Sequence, residues 1–331
     1  MSEPSSSVLF DTNGPVAFIT LNRPKAINSL NLEMIRLING YLDAVEKHDE
    51  LKVVLLSGAG DRGFASGADV KWLRECVISG NVEEADRFFE EEYALDLRIH
   101  RFSKPVVAVM DGITMGGGLG LVMGARYRIV TQRTRIAMPE TLIGFFPDVG
   151  ASWFLNRLPG AWGTYLALTA NEISGALAKS IGFATHRVDA MRLEELPSEL
   201  ARAAVSGDFG FLDDWAAALT AVKLEHAAWI DQHFGLNSVS EIRAALEATA
   251  GRDAEDPESR WASENLAKVA AGSPHGIALT WKLLRGNPPA SLEEAFRNEY
   301  DAARVAIRHP DYAEGIRARL VDKDFKPSWA A

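Results

Sequence analysis

Two carboxylates and two glycine-rich turns hold the chemistry this sequence can offer. Glu140 and Asp148 stand eight residues apart with Gly144 and Pro147 between them, a spacing that lets the chain fold back and turn both acids toward one site. Ahead of them, DGITMGGG from Asp111 closes on Gly116, Gly117 and Gly118 and leads into Leu119–Ala125, which has helical character. Glycine lets backbone approach a ligand with no Cβ in the way, and a helix start presents N–H groups without intrahelical partners to an oxyanion. A second glycine-rich stretch, Gly58 to Gly63, precedes Phe64-Ala-Ser-Gly-Ala-Asp-Val70. The N–H groups of Ala68 and Gly117, one from each turn, are the candidate donors to an enolate or a tetrahedral oxyanion. One such donor is worth about 3 kcal/mol in a transition state. Two neighbouring carboxylates split their pKa values, so that one accepts a proton while the other donates.

Each acid also has a plainer reading. Glu140 follows Pro139 and could be a carboxylate favoured at a helix N-terminus. Asp148 follows Pro147 and could cap a helix over 149–158. Glu92 belongs to the acidic run Glu90-Glu91-Glu92, most of which reads as a solvated helix face. Several familiar motifs fail outright. Gly58–Gly63 has the glycine spacing of a phosphate-binding loop, but Phe64 and Ala65 stand where Lys and Ser or Thr are needed. Gly118-Leu-Gly120 begins like a dinucleotide fingerprint, but Met123 fills the third glycine's place. The seven histidines show no metal-ligand spacing, so no metal is expected, and neither Ser66 nor Ser152 lies in a Gly-x-Ser-x-Gly elbow.

Elements that alternate strand and helix must position these turns. Val8–Asp11 and Val16–Leu21 flank Asn13-Gly14, a hairpin signal. Met34, Ile35, Ile38, Leu42 and Val45 recur at helical spacing over 31–48. Val53–Leu56, Val106–Met110, Arg126–Thr131 and Ile136–Met138 read as strands, and 80–103 as a charged helix. From about Ala190 the chain is a succession of alanine-rich amphipathic helices. The expected class is α/β, with a core over 8–188 and a helical C-terminal region over 189–331 that completes or covers a cleft. Trp281 and Tyr300 are expected in the core.

The 331 residues carry a net charge of −10, which argues against a nucleic-acid surface. No apolar run approaches the ~20 residues that span a bilayer. The single cysteine, Cys76, fits a reducing compartment, and MSEPSSSVLF has no signal-peptide core, so a cytoplasmic location is expected.

Four segments together resemble the crotonase (enoyl-CoA hydratase/isomerase) superfamily: Asn22-Arg-Pro-Lys-Ala-Ile-Asn28, Phe64–Val70, Gly112–Gly118 and Ala137-Met-Pro-Glu140. The resemblance implies a spiral of ββα units and a coenzyme A thioester in the cleft. It implies an oxyanion hole at Ala68 and Gly117, with Gly116 beside the substrate. Lys25, Ala26, Ser66, Gly67, Asp69 and Val70 fall near the nucleotide end of coenzyme A. Hydratases of this superfamily use two glutamates, and the position of the second is Gly120 here. Glu91-Glu92-Tyr93, Phe146-Pro-Asp-Val-Gly150, Ala184-Thr-His186, Arg297-Asn-Glu-Tyr300 and His309-Pro-Asp311 are similar instead to the 3-hydroxyisobutyryl-CoA hydrolase branch.

That branch implies thioester hydrolysis in valine catabolism through Glu140 and Asp148, with Glu92 at the substrate. Coenzyme A enters as part of the substrate and no cofactor is expected. A homo-oligomer, a trimer or a dimer of trimers, is implied as well. Two alternatives are an enoyl-CoA hydratase or isomerase, and a non-catalytic acyl-CoA-binding member.

Overall fold

The computed structural model describes residues 6–217, 219, 222–253 and 255–330. The hairpin forms as its turn signal predicts. β1 (Val8–Asn13) pairs antiparallel with β2 (Val16–Leu21), from Val8 opposite Leu21 to Asn13 opposite Val16. Four further strands join this sheet: β3 (Val53–Gly58), β5 (Val106–Met110), β7 (Tyr127–Val130) and β10 (His186–Arg187), in the order β1-β2-β3-β5-β7-β10. All its pairs except β1–β2 are parallel. Parallel neighbours need crossovers, which the helices supply, and strands covered on both faces read as unbroken apolar runs. β5, VVAVM, is buried at every position.

The remaining strands are short. β4 (Gly63–Ala65), β6 (Ile113–Met115), β8 (Arg135–Ala137) and β9 (Ile173–Ser174) form a second sheet in the order β4-β6-β8-β9. Of these, only β8 was expected as a strand. Runs of two or three residues are too short to show an alternation.

The chain divides into two compact units: residues up to Asp69 with Glu90–Ile136 and Ile173–Lys223, and Val70–Phe89 with Ala137–Glu172 and Leu224 onward. The first unit is centred on Val16, Val53, Leu55, Val107, Val109 and Ile129, against which Leu196, Leu200, Leu212 and Trp215 pack. The second unit is helical and rich in aromatic contacts. Phe145 stacks on Phe89 and Phe146 at ring separations of 5.3 and 4.5 Å, and Tyr312 lies 5.6 Å from it.

Helix ends follow their capping residues. Asn31 accepts from Met34 N at 2.9 Å and starts the helix Leu32–Lys47, which buries the five apolar residues named above. Pro257 is the first residue of the helix Pro257–Ala271, which Asp256 caps. Trp281 and Tyr300 are half-buried rather than central.

Candidate active site

In the first unit the two glycine-rich turns meet. Gly116 has φ +50 and ψ −129, a conformation open to glycine, and the helix Gly117–Met123 starts from it. A Cβ placed on Gly117 would lie 3.4 Å from Ala68 N, and one placed on Gly67 would lie 3.5 Å from Gly117 N. The Ala68 turn is held by its neighbours. Leu30 N donates to Gly67 O and Asp69 N to Leu30 O, both at 2.8 Å, while Ser66 N donates to Ile27 O. Neither Ala68 N–H nor Gly117 N–H is engaged in a hydrogen bond among the described residues. Two amide donors at close quarters are thus left to meet an oxyanion.

Glu92, the weakest of the three acids on sequence grounds, is 1% exposed, and its carboxylate occupies the space into which a Gly117 Cβ would project. It is not on a solvated face. Its neighbour Glu91 is partly solvated and forms a bidentate pair with Arg36 at 2.7 and 2.8 Å.

The residues expected near a nucleotide, Val70 apart, also lie in this unit. Lys25 and Ala26 lie exposed in a short 3₁₀ turn, Pro24–Ala26, and the exposed Ser66 Oγ donates to Ala26 O at 3.1 Å. Asp69 pairs with Arg23 at 3.0 Å. Val70 opens the next helix, Val70–Ile78. Asn28, buried, ties these strands together: Nδ2 donates to the carbonyls of Ala59, Gly63 and Phe64, and Oδ1 accepts from Arg23 N.

The second unit holds Glu140 and Asp148. Glu140 opens a 3₁₀ turn, Glu140–Ile143, that the C-terminal helices clamp. Ser273 N donates to Thr141 O at 2.9 Å, and a Cβ on Gly315 would lie 2.5 Å from the Ile143 carbonyl carbon. The Glu140 side chain is 6% exposed, and its Oε2 has no hydrogen-bond partner among the described residues. Burial first, and then the charge of Asp148, hold this carboxyl well above the usual range, against a weaker opposing hydrogen bond from its own backbone. Asp148 is 5% exposed. It does not cap the following helix, Ala151–Phe154, whose N-cap is Gly150; the Asp148 contribution is its carbonyl, which accepts from Ala151 N at 2.9 Å. An acid with a raised pKa beside a second acid suits proton transfer at neutral pH.

Among the described residues, three buried acids were given no role from the sequence: Asp96, Glu299 and Asp311. Glu299 accepts hydrogen bonds from Gly150 N and Ser152 N, at 2.6 and 2.8 Å. Its signal was available as a lone carboxylate at helical spacing from apolar Phe296 and Ala303.

The parallel and short-stranded sheets, the paired free amides and the C-terminal helices define a crotonase-type α/β protein. A profile described as enoyl-CoA hydratase/isomerase matches residues 16–331. The chain is 37% identical over 337 residues to the mitochondrial 3-hydroxyisobutyryl-CoA hydrolase of Danio rerio, covering 99% of this chain and 86% of that protein. It is also 37% identical to 3-hydroxyisobutyryl-CoA hydrolase 1 of Arabidopsis thaliana, over 98% of this chain and 87% of that one. Among solved structures, a carnitinyl-CoA dehydratase from Mycobacterium thermoresistibile aligns with a TM-score of 0.86 at 37% identity, covering 98% of this chain and 92% of that chain. The chain belongs to the enoyl-CoA hydratase/isomerase family.

Proposed function

We propose that this protein hydrolyses 3-hydroxyisobutyryl-CoA to 3-hydroxyisobutyrate and coenzyme A. The supporting observation is Glu140: a buried carboxyl of raised pKa, coupled to Asp148, in a chain similar along nearly its whole length to hydrolases of that name. The amides of Ala68 and Gly117 take the thioester carbonyl oxygen as it becomes an oxyanion. Glu140, or a water that it deprotonates, attacks the carbonyl carbon; the C–S bond breaks and the departing sulfur leaves as coenzyme A thiol. If Glu140 attacks directly, a mixed anhydride forms and water cleaves it. Asp148 positions the water or binds the 3-hydroxyl, and Glu92 borders the acyl group beside Gly117. Lys25, Ala26, Ser66, Gly67, Asp69 and Val70 take the nucleotide end of coenzyme A, with Gly116 at the thioester.

Hydration of an enoyl-CoA is the weaker reading. Gly120, buried inside the helix Gly117–Met123, replaces the second glutamate that such chemistry uses. Neither mechanism draws on a cofactor beyond the coenzyme A of the substrate. A reducing compartment suits the one free thiol, Cys76, which is buried; a cytoplasmic location is our reading, while the Danio relative is named as mitochondrial. We read the helical region over 189–331 as completing or covering the cleft, and a homo-oligomer is proposed from the family alone.

The deciding experiment compares thiol release from 3-hydroxyisobutyryl-CoA with hydration of crotonyl-CoA by the purified protein. Thiol release without hydration supports the hydrolase, and hydration without thiol release sinks it. E140Q should lose at least about 10³-fold in kcat while coenzyme A affinity stays within twofold. Turnover by E140Q at the wild-type rate would remove Glu140 from the mechanism.

A further inference from the structure

Glu299 is fully buried on the apolar stripe of the helix Leu292–Ala306, in line with Ala295, Phe296, Ala303 and Ala306. A carboxyl in that setting is unfavourable unless polar partners compensate for lost water. All its hydrogen-bond partners sit on one turn. Oε2 accepts from Gly150 N at 2.6 Å; Oε1 accepts from Ser152 N at 2.8 Å and lies 2.5 Å from Ser152 Oγ.

That turn carries Asp148, and its backbone is strained. Val149 has φ +55, in the left-handed region that a β-branched side chain rarely enters, and Gly150 follows with φ +86. Such a conformation persists where its surroundings over-determine it. Here the surroundings are the two amide bonds to Glu299 and the ring of Phe296, which would lie 3.2 Å from a Cβ on Gly150. The charge of Asp148 acts on Glu299 as it does on Glu140, so three buried acids are coupled in series.

We propose that Glu299 is a positioning residue: it holds the Asp148–Ser152 turn in its strained form and thereby fixes the Asp148 carboxylate for turnover. The inference rests on Asp148 being a working acid of the hydrolase. The requirement is for two acceptor oxygens. The neutral acid keeps both amide bonds and reverses only the contact with Ser152 Oγ, whereas glutamine must turn its NH₂ toward one of the two N–H donors. Burial and Asp148 together push the Glu299 carboxyl up to about 8, with the Ser152 and Gly150 hydrogen bonds acting in the opposite direction. Its environment therefore bears on the pH range in which the other two acids work.

The test uses the full chain with E299Q and S152A. E299Q should lower kcat for thiol release from 3-hydroxyisobutyryl-CoA by roughly 30- to 100-fold with KM within about twofold, as a misplaced group does. Its kcat–pH profile should also be displaced. Amide exchange at Gly150 and Ser152 should quicken by at least about tenfold, with the Leu32–Lys47 helix unchanged. S152A, which removes only the hydroxyl contact, should cost about three- to tenfold in kcat.

Wild-type kcat and pH profile in E299Q overturn the assignment, as does a loss of kcat without faster exchange at Gly150 and Ser152. If E299Q does not fold, S152A decides: wild-type kcat together with wild-type exchange counts against the proposal. A wild-type protein that releases no thiol defeats the hydrolase reading alone; the exchange comparison still decides whether Glu299 holds the turn.

Discussion

Gly117 has no room for a side chain, because the Glu92 carboxylate occupies the place of its Cβ and Ala68 N lies 3.4 Å from that point. G117A must therefore move either the acid or the amide pair. It should lower kcat for thiol release by at least about 10²-fold, in line with the loss of one oxyanion donor. Wild-type kcat in G117A would show that this amide does not meet the substrate. Cues of this kind are local, which is why Ala68, Gly117, Glu140 and Asp148 stood out in the sequence: each lies in a short run with glycine or proline beside it. Glu92 was half-hidden by its acidic neighbours, since nothing in Glu90-Glu91-Glu92 says which carboxylate turns inward. Burial of Glu299 could be read from its helical spacing, but its partners could not, because Gly150 and Ser152 lie 149 and 147 residues earlier.

Several helices of this chain begin on side chains that accept a backbone N–H, and such caps can be tested apart from the chemistry. Ser291 accepts from Glu294 N at 3.1 Å at the start of the helix Leu292–Ala306, and Asn31 does the same for Leu32–Lys47. Either change to alanine should cost about 1 kcal/mol of stability, measured by denaturant unfolding. The helix beginning at Leu292 bears Glu299, so S291A should also quicken exchange at Gly150, whereas N31A should not. Equal exchange at Gly150 in both variants would separate that helix from the turn. At this scale long apolar strands and periodic helices were readable, because burial on one or both faces leaves a repeat in the sequence. The four-stranded sheet was not. Its strands, two or three residues each, are defined by pairing with distant segments rather than by their own composition.

The whole molecule should record its buried acids in the pH dependence of its stability. Glu140 and Glu299 are both raised above the ordinary carboxylate value of 4.5, Glu299 to about 8. A raised acid binds its proton more tightly folded than unfolded, so its contribution is complete below about 4.5 and is lost as pH rises through the folded value. Unfolding free energy should accordingly decline from about pH 4.5 toward 8 as Glu299 titrates, at up to about 1.4 kcal/mol per pH unit from that group. E299Q should flatten that decline; an equally steep slope in E299Q would mean that Glu299 does not titrate in this range. The family and its α/β class were legible from four motifs in order, while the division into two interleaved units was not, since each unit draws on separated stretches of chain. That interleaving has a consequence for biosynthesis. The turn at Gly150 leaves the ribosome 149 residues before its acceptor at Glu299, a delay of roughly 7–30 s at ordinary elongation rates. Throughout that interval residues 148–152 lack the side chain that holds them in the strained form, so the Asp148 segment is among the last parts of the protein to mature.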